Sequence, residues 1–119
     1  MEQIKFESLP IPEPILKGIR DADFKYCTSI QGKTLPISLL GKDVAGQAQT
    51  GTGKTAAFLI TLFTRLLKNP KPKCKGRVAP RALVIAPTRE LARQIEIDAR
   101  LLGGHCQFRI ICIYGGMDY

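Results

Sequence analysis

Residues 48–55 fit the pattern of a phosphate-binding loop, in which a small residue and four variable residues precede Gly-Lys-Thr. Gly51 and Gly53 let the backbone turn tightly and bring its N–H groups close to phosphate oxygens. Lys54 brings a flexible positive charge to the outer phosphates, and the hydroxyl of Thr55 is suited to ligate Mg²⁺ beside them. The loop therefore predicts a nucleoside triphosphate site with Lys54 and Thr55 as catalytic residues. Its other members are Ala48, Gln49, Thr50, Gly51, Thr52 and Gly53. The alternative is a Gly- and Thr-rich turn that fits by chance, and Ala48 does depart from the usual Gly.

The segments on either side of this loop have the pattern that the loop requires. Residues 42–46 predict a short strand that leads into it. The residues after Lys54 predict a helix, because apolar side chains recur there at helical spacing, at Leu59, Leu62, Phe63 and Leu66. Since the opposite side of this helix is also largely apolar, we expect it to be buried on most faces and to end at Asn69-Pro70.

The rest of the chain alternates between helical and extended patterns. Helices are predicted at 12–21, at 29–40 with a disturbance at Pro36, and at 88–102. Strands are predicted at 81–86, an apolar run between two prolines, and at 108–114. The last helix carries an apolar stripe, formed by Ala92, Ile95, Ala99 and Leu102. On the same helix Glu96 can pair with Arg100 one turn later. This alternation predicts an α/β fold with a parallel sheet and right-handed crossovers.

Length and charge narrow the class of protein. A chain of 119 residues is long enough for one domain core, and its formal net charge of +8 favours a polyanionic partner. Many of the basic residues lie in segment 68–81, which is either a solvated connector or a loop that tracks phosphates. The segment contains no aromatic residue on which a base could stack.

The cysteines and the apolar runs bear on location. Cys27, Cys74, Cys106 and Cys112 form no C-x-x-C pair, which predicts reduced thiols and a cytoplasmic protein. The single histidine, His105, argues against a zinc site. No apolar run approaches about 20 residues, so no membrane span is expected, and residues 1–5 do not begin a signal peptide.

Three further clusters stand in a fixed order around the phosphate loop. Residues 24–31, Phe-Lys-Tyr-Cys-Thr-Ser-Ile-Gln, precede it, with the isolated aromatic Phe6 upstream; Pro87-Thr88-Arg89-Glu90-Leu91 and Gly115-Gly116 follow it. Together they resemble the Q motif, motif Ia and GG motif of DEAD-box RNA helicases, and most of all the bacterial RhlB-type branch. The resemblance implies a parallel-sheet P-loop NTPase (RecA-like) fold, truncated, with helices on both faces. It makes residues 1–40 the Q-motif region and 41–119 the N-terminal portion of the first RecA-like domain.

The resemblance assigns Phe24 and Gln31 to the adenine base of ATP. A glutamine amide donates and accepts at once, so it matches the N6 donor and N7 acceptor of adenine, and Phe24 offers the base an apolar face. The alternative is that Phe24 is a core aromatic and Gln31 a surface helix residue. Two positions depart from the family, because Asp23 stands where Gly is usual and Ser29 where Pro is usual. We expect these changes to loosen the local turn.

The resemblance also implies an RNA-binding surface, formed by Pro87, Thr88, Arg89, Gly115 and Gly116. Arg89 and the N–H groups at the start of the following helix are suited to meet a phosphate, and glycines permit close approach of the backbone. The alternatives are an ordinary helix N-cap at Thr88 and an ordinary turn at Gly115-Gly116.

The sequence contains no Asp-Glu-Ala-Asp, the tetrapeptide that in the family supplies a Mg²⁺-linked acid and the carboxylate that positions the attacking water. The SAT motif and the second RecA-like domain with its arginine finger are absent as well. We therefore expect the parent protein to be an ATP-dependent RNA helicase that unwinds short duplexes with ATP and Mg²⁺. The chain itself should be the opening part of its first domain, inactive alone, with a gap or exposed edge beside the 42–46 strand.

The partners expected from this resemblance are RNA, as a single strand or short duplex, and proteins of RNA decay or ribosome assembly. Two other classes of function stay open at this point. One is a non-catalytic RNA- or partner-binding module. The other is a different P-loop ATPase, such as a DNA helicase or a transporter-type ATPase.

Overall fold

The computed structural model describes residues 3–48, 53–69 and 79–115. Within these residues a 3₁₀ turn at Phe6–Ser8 precedes four helices. These are α1 (Glu13–Asp21), α2 (Ser29–Ser38), α3 (Lys54–Lys68) and α4 (Arg89–Leu102). All four predicted helices are present, and their ends differ from the predicted ones by one or two residues.

The start of α1 and the end of α2 lie at residues suited to those places. Pro12 is the N-cap of α1 and Pro14 lies in its first turn, where a missing N–H costs nothing. Helix α2 contains Pro36 and ends at Ser38, earlier than predicted. The turn after it is closed by Gly41, whose φ of 89° is in the left-handed region and whose N–H donates to the Ser38 carbonyl at 3.0 Å.

The helices pack in the spatial order α1, α4, α3, α2, so that α3 lies between two neighbours. Helix α3 is buried on most faces, as predicted, since Leu59, Ile60 and Phe63 are nearly inaccessible. On α4 the predicted stripe faces the core, with Ala99 and Leu102 buried and Ala92 and Ile95 half-buried. The buried apolar core comprises Phe6, Ile11, Ile15, Leu16, Ile19, Cys27, Leu35, Leu39, Ala56, Ala57, Leu59, Ile60, Phe63, Ala99 and Leu102.

The strand pairing predicted for 42–46, 81–86 and 108–114 is not seen among the described residues. None of the described residues belongs to a β-strand, and the backbone pairing outside helices is a single antiparallel bridge between Lys5 and Tyr26. The predicted buried strand at 81–86 is wrong in its burial, because Leu83 and Ile85 are each 83% exposed and Val84 is 41% exposed. The exposed fraction alternates along this segment, as in an extended chain whose successive side chains point to opposite faces. Among the described residues no strand pairs with its backbone groups, and its apolar side chains are exposed.

Side chains hold the last extended segment against the helices. Phe108 stacks on Phe63 of α3, with ring centroids 5.2 Å apart. Arg100 of α4 forms the predicted pair with Glu96 at 2.8 Å and also donates to the Ile110 carbonyl at 2.8 Å. These contacts fix the course of the chain after α4 without strand pairing. Across the described ranges, no helix combines the length and apolar character needed to cross a bilayer.

Candidate functional site

The N-terminus of α2 is closed by a capping box between Thr28 and Gln31. The Thr28 hydroxyl accepts the Gln31 N–H at 3.5 Å, and the Gln31 Oε1 accepts the Thr28 N–H at 2.8 Å. This capping role was not among the sequence predictions, although Thr-x-x-Gln before a helix is its signal. The box fixes where the Gln31 side chain lies.

The same glutamine reaches the phosphate loop. Its Nε2 donates to the Gly53 carbonyl at 3.1 Å, and the residue is 3% exposed. The alternative of a surface helix residue is therefore wrong. Among the described residues, one of its two amide hydrogens and one lone pair of its oxygen are engaged, and the amide has one further donor and one further acceptor site.

The ends of the phosphate loop are joined by its lysine. Gly53 has φ 90° and ψ 16°, the left-handed conformation that favours glycine, and it is the N-cap of α3. Lys54 is half-buried, and its Nζ donates to the Ala48 carbonyl. The remaining predicted members of the loop, Gln49, Thr50, Gly51 and Thr52, lie outside the described residues.

A cavity of about 1060 Å³ lies beside these groups. Its lining includes Gly53, Lys54 and Thr55 together with Phe24 of the segment before α2. The volume is slightly above the usual range for small-molecule sites, about 300–1,000 Å³. Much of the remaining lining is apolar, including Leu83, Val84 and Ile85 of the unpaired extended segment. The cavity therefore extends from the phosphate loop to the exposed apolar side chains of the 81–86 segment.

Phe24 presents one open face beside this cavity. It is 43% exposed, and its ring stacks on the buried Phe6 with centroids 6.3 Å apart. The N-terminal segment is held there by two backbone bonds, from Phe6 N–H to Lys25 O at 3.1 Å and from Cys27 N–H to Ile4 O at 2.7 Å. Phe24 is thus neither a core aromatic nor an isolated surface ring.

Asp23 adopts a φ of 59° immediately before Phe24. This is the left-handed region, which glycine enters freely and which Asp tolerates better than most residues. This backbone conformation explains why glycine is usual at the position in the family that the sequence resembles.

Cys27, in the segment before α2, is a buried thiol whose pKa is raised by that burial.

A second group of predicted residues meets at the start of α4. The Thr88 hydroxyl accepts the Leu91 N–H at 3.1 Å, so Thr88 is the helix N-cap. Arg89 follows it, and its guanidinium carbon lies 5.8 Å from the centroid of the Tyr114 ring. Pro87 is exposed, and a Cβ placed on Gly115 would meet no described atom within 4 Å. Gly116 lies outside the described residues.

The basic segment 68–81 is described only at its ends, and Arg81 serves a structural role there. Its guanidinium donates to the carbonyl oxygens of Leu66, at 3.0 Å, and of Asn69. Both groups lie at the C-terminus of α3, where a positive charge is favourable. Residues 70–78, with most of the predicted phosphate-tracking charge, lie outside the described part of the chain.

Comparison with known proteins gives consistent matches. A family model described as DEAD/DEAH box helicase matches residues 28–119. The ATP-dependent RNA helicase RhlB of Pseudoalteromonas atlantica is 50% identical over 119 residues, which is 100% of this chain and 28% of that protein. The RhlB of Psychromonas ingrahamii is 48% identical over 116 residues, or 98% of this chain and 28% of that protein.

Solved structures of helicases also match this chain. The RNA helicase Prp28 from Chaetomium thermophilum bound to ADP matches with a TM-score of 0.81 at 35% identity, over 99% of this chain and 28% of that one. A DEAD box protein from Methanococcus jannaschii matches with a TM-score of 0.83 at 34% identity, over 99% of this chain and 31% of that one. The path of the backbone is thus that of the RecA-like domain of such proteins, and the chain spans between a quarter and a third of their length.

Proposed function

This chain belongs to the DEAD/DEAH box helicase family, and on that premise we propose that it binds ATP through its phosphate loop and Q motif and an RNA backbone through residues 87–89 and 115–116. The longer protein would couple ATP hydrolysis to the unwinding of short RNA duplexes. The chain alone lacks the Asp-Glu-Ala-Asp tetrapeptide, so it would bind both ligands without turnover.

The contact between Gln31 and Gly53 is the observation that carries the nucleotide site. It joins the residue proposed for adenine to the loop proposed for the triphosphate, at 3.1 Å. The second amide hydrogen and second lone pair of Gln31 are the groups that would meet the N7 and N6 of the base. Phe24, with its open face supported by Phe6, would lie against the base.

Lys54 and Thr55 would hold the other end of the nucleotide. The ammonium of Lys54 now lies on a neutral carbonyl, that of Ala48, and a phosphate oxygen is the stronger acceptor for a charged donor. Thr55 would supply a hydroxyl to Mg²⁺, and Gln49, Thr50, Gly51, Thr52 and Gly53 would supply backbone N–H groups to the phosphates. The left-handed Gly53 and the cavity beside Lys54 fit this role.

The finer fold belongs to the same proposal. Residues 1–40 would form the Q-motif region and 41–119 the N-terminal portion of the first RecA-like domain, with a parallel sheet and helices on both faces. The alternating exposure of the 81–86 segment supports latent strand character. Protein partners in RNA decay or ribosome assembly, and a cytoplasmic location, rest on the resemblance and on the cysteine pattern alone.

Nucleotide binding is tested by displacement of a fluorescent ATP analogue with ATP and GTP. Lys54→Ala should weaken both nucleotides strongly, whereas Lys68→Ala, an exposed lysine at the other end of α3, should weaken neither. Gln31→Ala should abolish the preference for ATP over GTP, with Gln3→Ala, an exposed glutamine outside the cavity lining, as the control. An unchanged preference in Gln31→Ala would contradict the adenine role and favour a P-loop ATPase of another type.

Catalysis is tested by RNA-stimulated phosphate release from the same chain. We expect none above background, because no carboxylate is assigned to position water. A rate similar to that of a complete helicase would mean that the tetrapeptide is dispensable. Binding of ATP and RNA without hydrolysis would agree with the proposal and with a non-catalytic module alike.

A further inference from the structure

The chain after α4 returns along that helix and is held to it by two arginines. Near the C-terminus of α4, Arg100 donates to the Ile110 carbonyl at 2.8 Å. At the N-terminus, the guanidinium carbon of Arg89 lies 5.8 Å from the Tyr114 ring centroid. The helix rises about 16 Å from Arg89 to Arg100, and an extended chain covers about 13 Å from Ile110 to Tyr114. Both contacts therefore fit one antiparallel course.

The contact with Tyr114 places the Arg89 guanidinium carbon over the ring, and the edge of the guanidinium carries its N–H donors. A cation within about 6 Å of an aromatic centroid is attracted by the ring face. Arginine stacks in this way while its planar fork of N–H donors remains available to a phosphate. Among the described residues no hydrogen bond takes up that edge, and Arg89 is exposed.

The ring is less exposed to solvent than the arginine that it contacts. Tyr114 is half-buried, whereas Arg89 stands on the exposed first turn of α4. A long, exposed arginine samples many rotamers, and a fixed aromatic surface reduces that freedom before a ligand arrives. Tyr114 adjoins Gly115, where the described neighbours leave the surface open.

We propose that Tyr114 is a positioning residue for Arg89, and that its ring holds the guanidinium with the donor edge turned toward the phosphates of a single RNA strand. The proposal rests on the proposed RNA contact at residues 87–89 and 115–116. Tyr114 acts through Arg89, so its effect requires the arginine to be present.

The first test is a double-mutant cycle on RNA binding. A short fluorescein-labelled uridine oligonucleotide is titrated with the 119-residue chain and its variants by fluorescence anisotropy. Tyr114→Leu should weaken binding about two- to fivefold, the usual value of an exposed cation–π contact. Tyr114→Phe, which keeps the ring, should bind like the parent chain. In an Arg89→Ala background, Tyr114→Leu should have no further effect.

The second test detects the pair without RNA. The Nε–H resonance of Arg89 in the free chain should be shifted by the ring current of Tyr114. It should move in Tyr114→Leu and stay nearly unchanged in Tyr114→Phe. An Arg89 resonance that is insensitive to Tyr114→Leu would overturn the proposal.

The two tests separate the possible failures. If Tyr114→Leu weakens RNA binding equally with and without Arg89, the positioning role is refuted, since the ring then acts independently. If Arg89→Ala itself leaves RNA binding unchanged, the proposed RNA contact fails and the role of Tyr114 fails with it. In that case the resonance still reports whether the pair exists.

Discussion

Gly18 permits the closest approach between α1 and α4, and replacing it with alanine should destabilise the chain. A Cβ at this position would lie 2.7 Å from the Leu102 carbonyl carbon and 2.9 Å from its Cα. Carbon atoms attract best at about 3.5–4.0 Å, so the helices would have to separate by roughly 1 Å. The obstruction is backbone, which cannot turn aside as a side chain can.

The cost follows from what surrounds the contact. A gap of up to about 1 Å forfeits a quarter to a half of the attraction between facing atoms. Full burial of one Ile or Leu side chain is worth about 1.5–3 kcal/mol. Ile15, Ile19 and Leu102 are almost fully buried on these two helices, so the loss is about 1–4 kcal/mol. The better helix propensity of alanine returns about 1 kcal/mol, so the net cost is roughly 0–3 kcal/mol relative to the parent chain and about 1–4 kcal/mol relative to the same substitution at an uncrowded helical glycine.

The assay is urea unfolding followed by far-UV circular dichroism, with Gly32→Ala as the matched control. Gly32 also lies within a helix, α2, but a Cβ there would meet the Ile4 Cδ1 at 3.5 Å and the Cys27 Cβ at 3.9 Å, which are ordinary contacts. Gly32→Ala should therefore leave stability unchanged or raise it by up to about 1 kcal/mol. If Gly18→Ala were as stable as Gly32→Ala, which gains the same helix propensity without the clash, the reasoning from the helix contact would be wrong.

Three further outcomes are expected. Thr88→Ala should cost about 0.5–2 kcal/mol in urea unfolding through loss of the α4 cap, whereas Thr88→Ser should retain most of it; equal losses in both would point away from the hydroxyl. Burial raises the pKa of the Cys27 and Cys106 thiols, so iodoacetamide should alkylate them in the native chain only at higher pH than in urea. The stability that the buried neutral thiols contribute should be complete below the pKa of the unfolded chain, near 9.0, and should be lost as pH rises through the pKa of the folded chain. Identical alkylation profiles with and without urea would refute the raised pKa. Ser38→Ala should cost about 1 kcal/mol, because the Ser38 hydroxyl lies 2.7 Å from that of Thr61, and an unchanged urea midpoint would show that this bond contributes nothing.

The local pattern of the sequence was enough to place the helices. Proline in the first turn of α1, the spacing of apolar residues in α3 and the Glu96–Arg100 pair of α4 each depend on neighbours within one or two turns. The motif order likewise indicated the family, which the matching family model confirms over residues 28–119.

The strand pairing of the predicted sheet is absent among the described residues, and the reason is non-local. Residues 81–86 have the apolar character of a buried strand, yet a strand is buried and paired only by other parts of a chain. Leu83 and Ile85 remain exposed because no described segment covers them. The composition of a segment indicates which of its side chains favour burial, but it does not indicate whether another segment is present to cover them.

The sequence alone determined that a phosphate loop, a Q motif and motif Ia share one chain, since each is a short run whose chemistry lies in its own residues. The tertiary structure decided which of these runs meet. It brings Gln31 of α2 to Gly53, 22 residues further along the chain, and it brings Tyr114 back to Arg89 at the start of α4. Both contacts depend on how the four helices pack. Hydrogen bonds and ring contacts act over a few ångströms, and helix packing determines which side chains come that close.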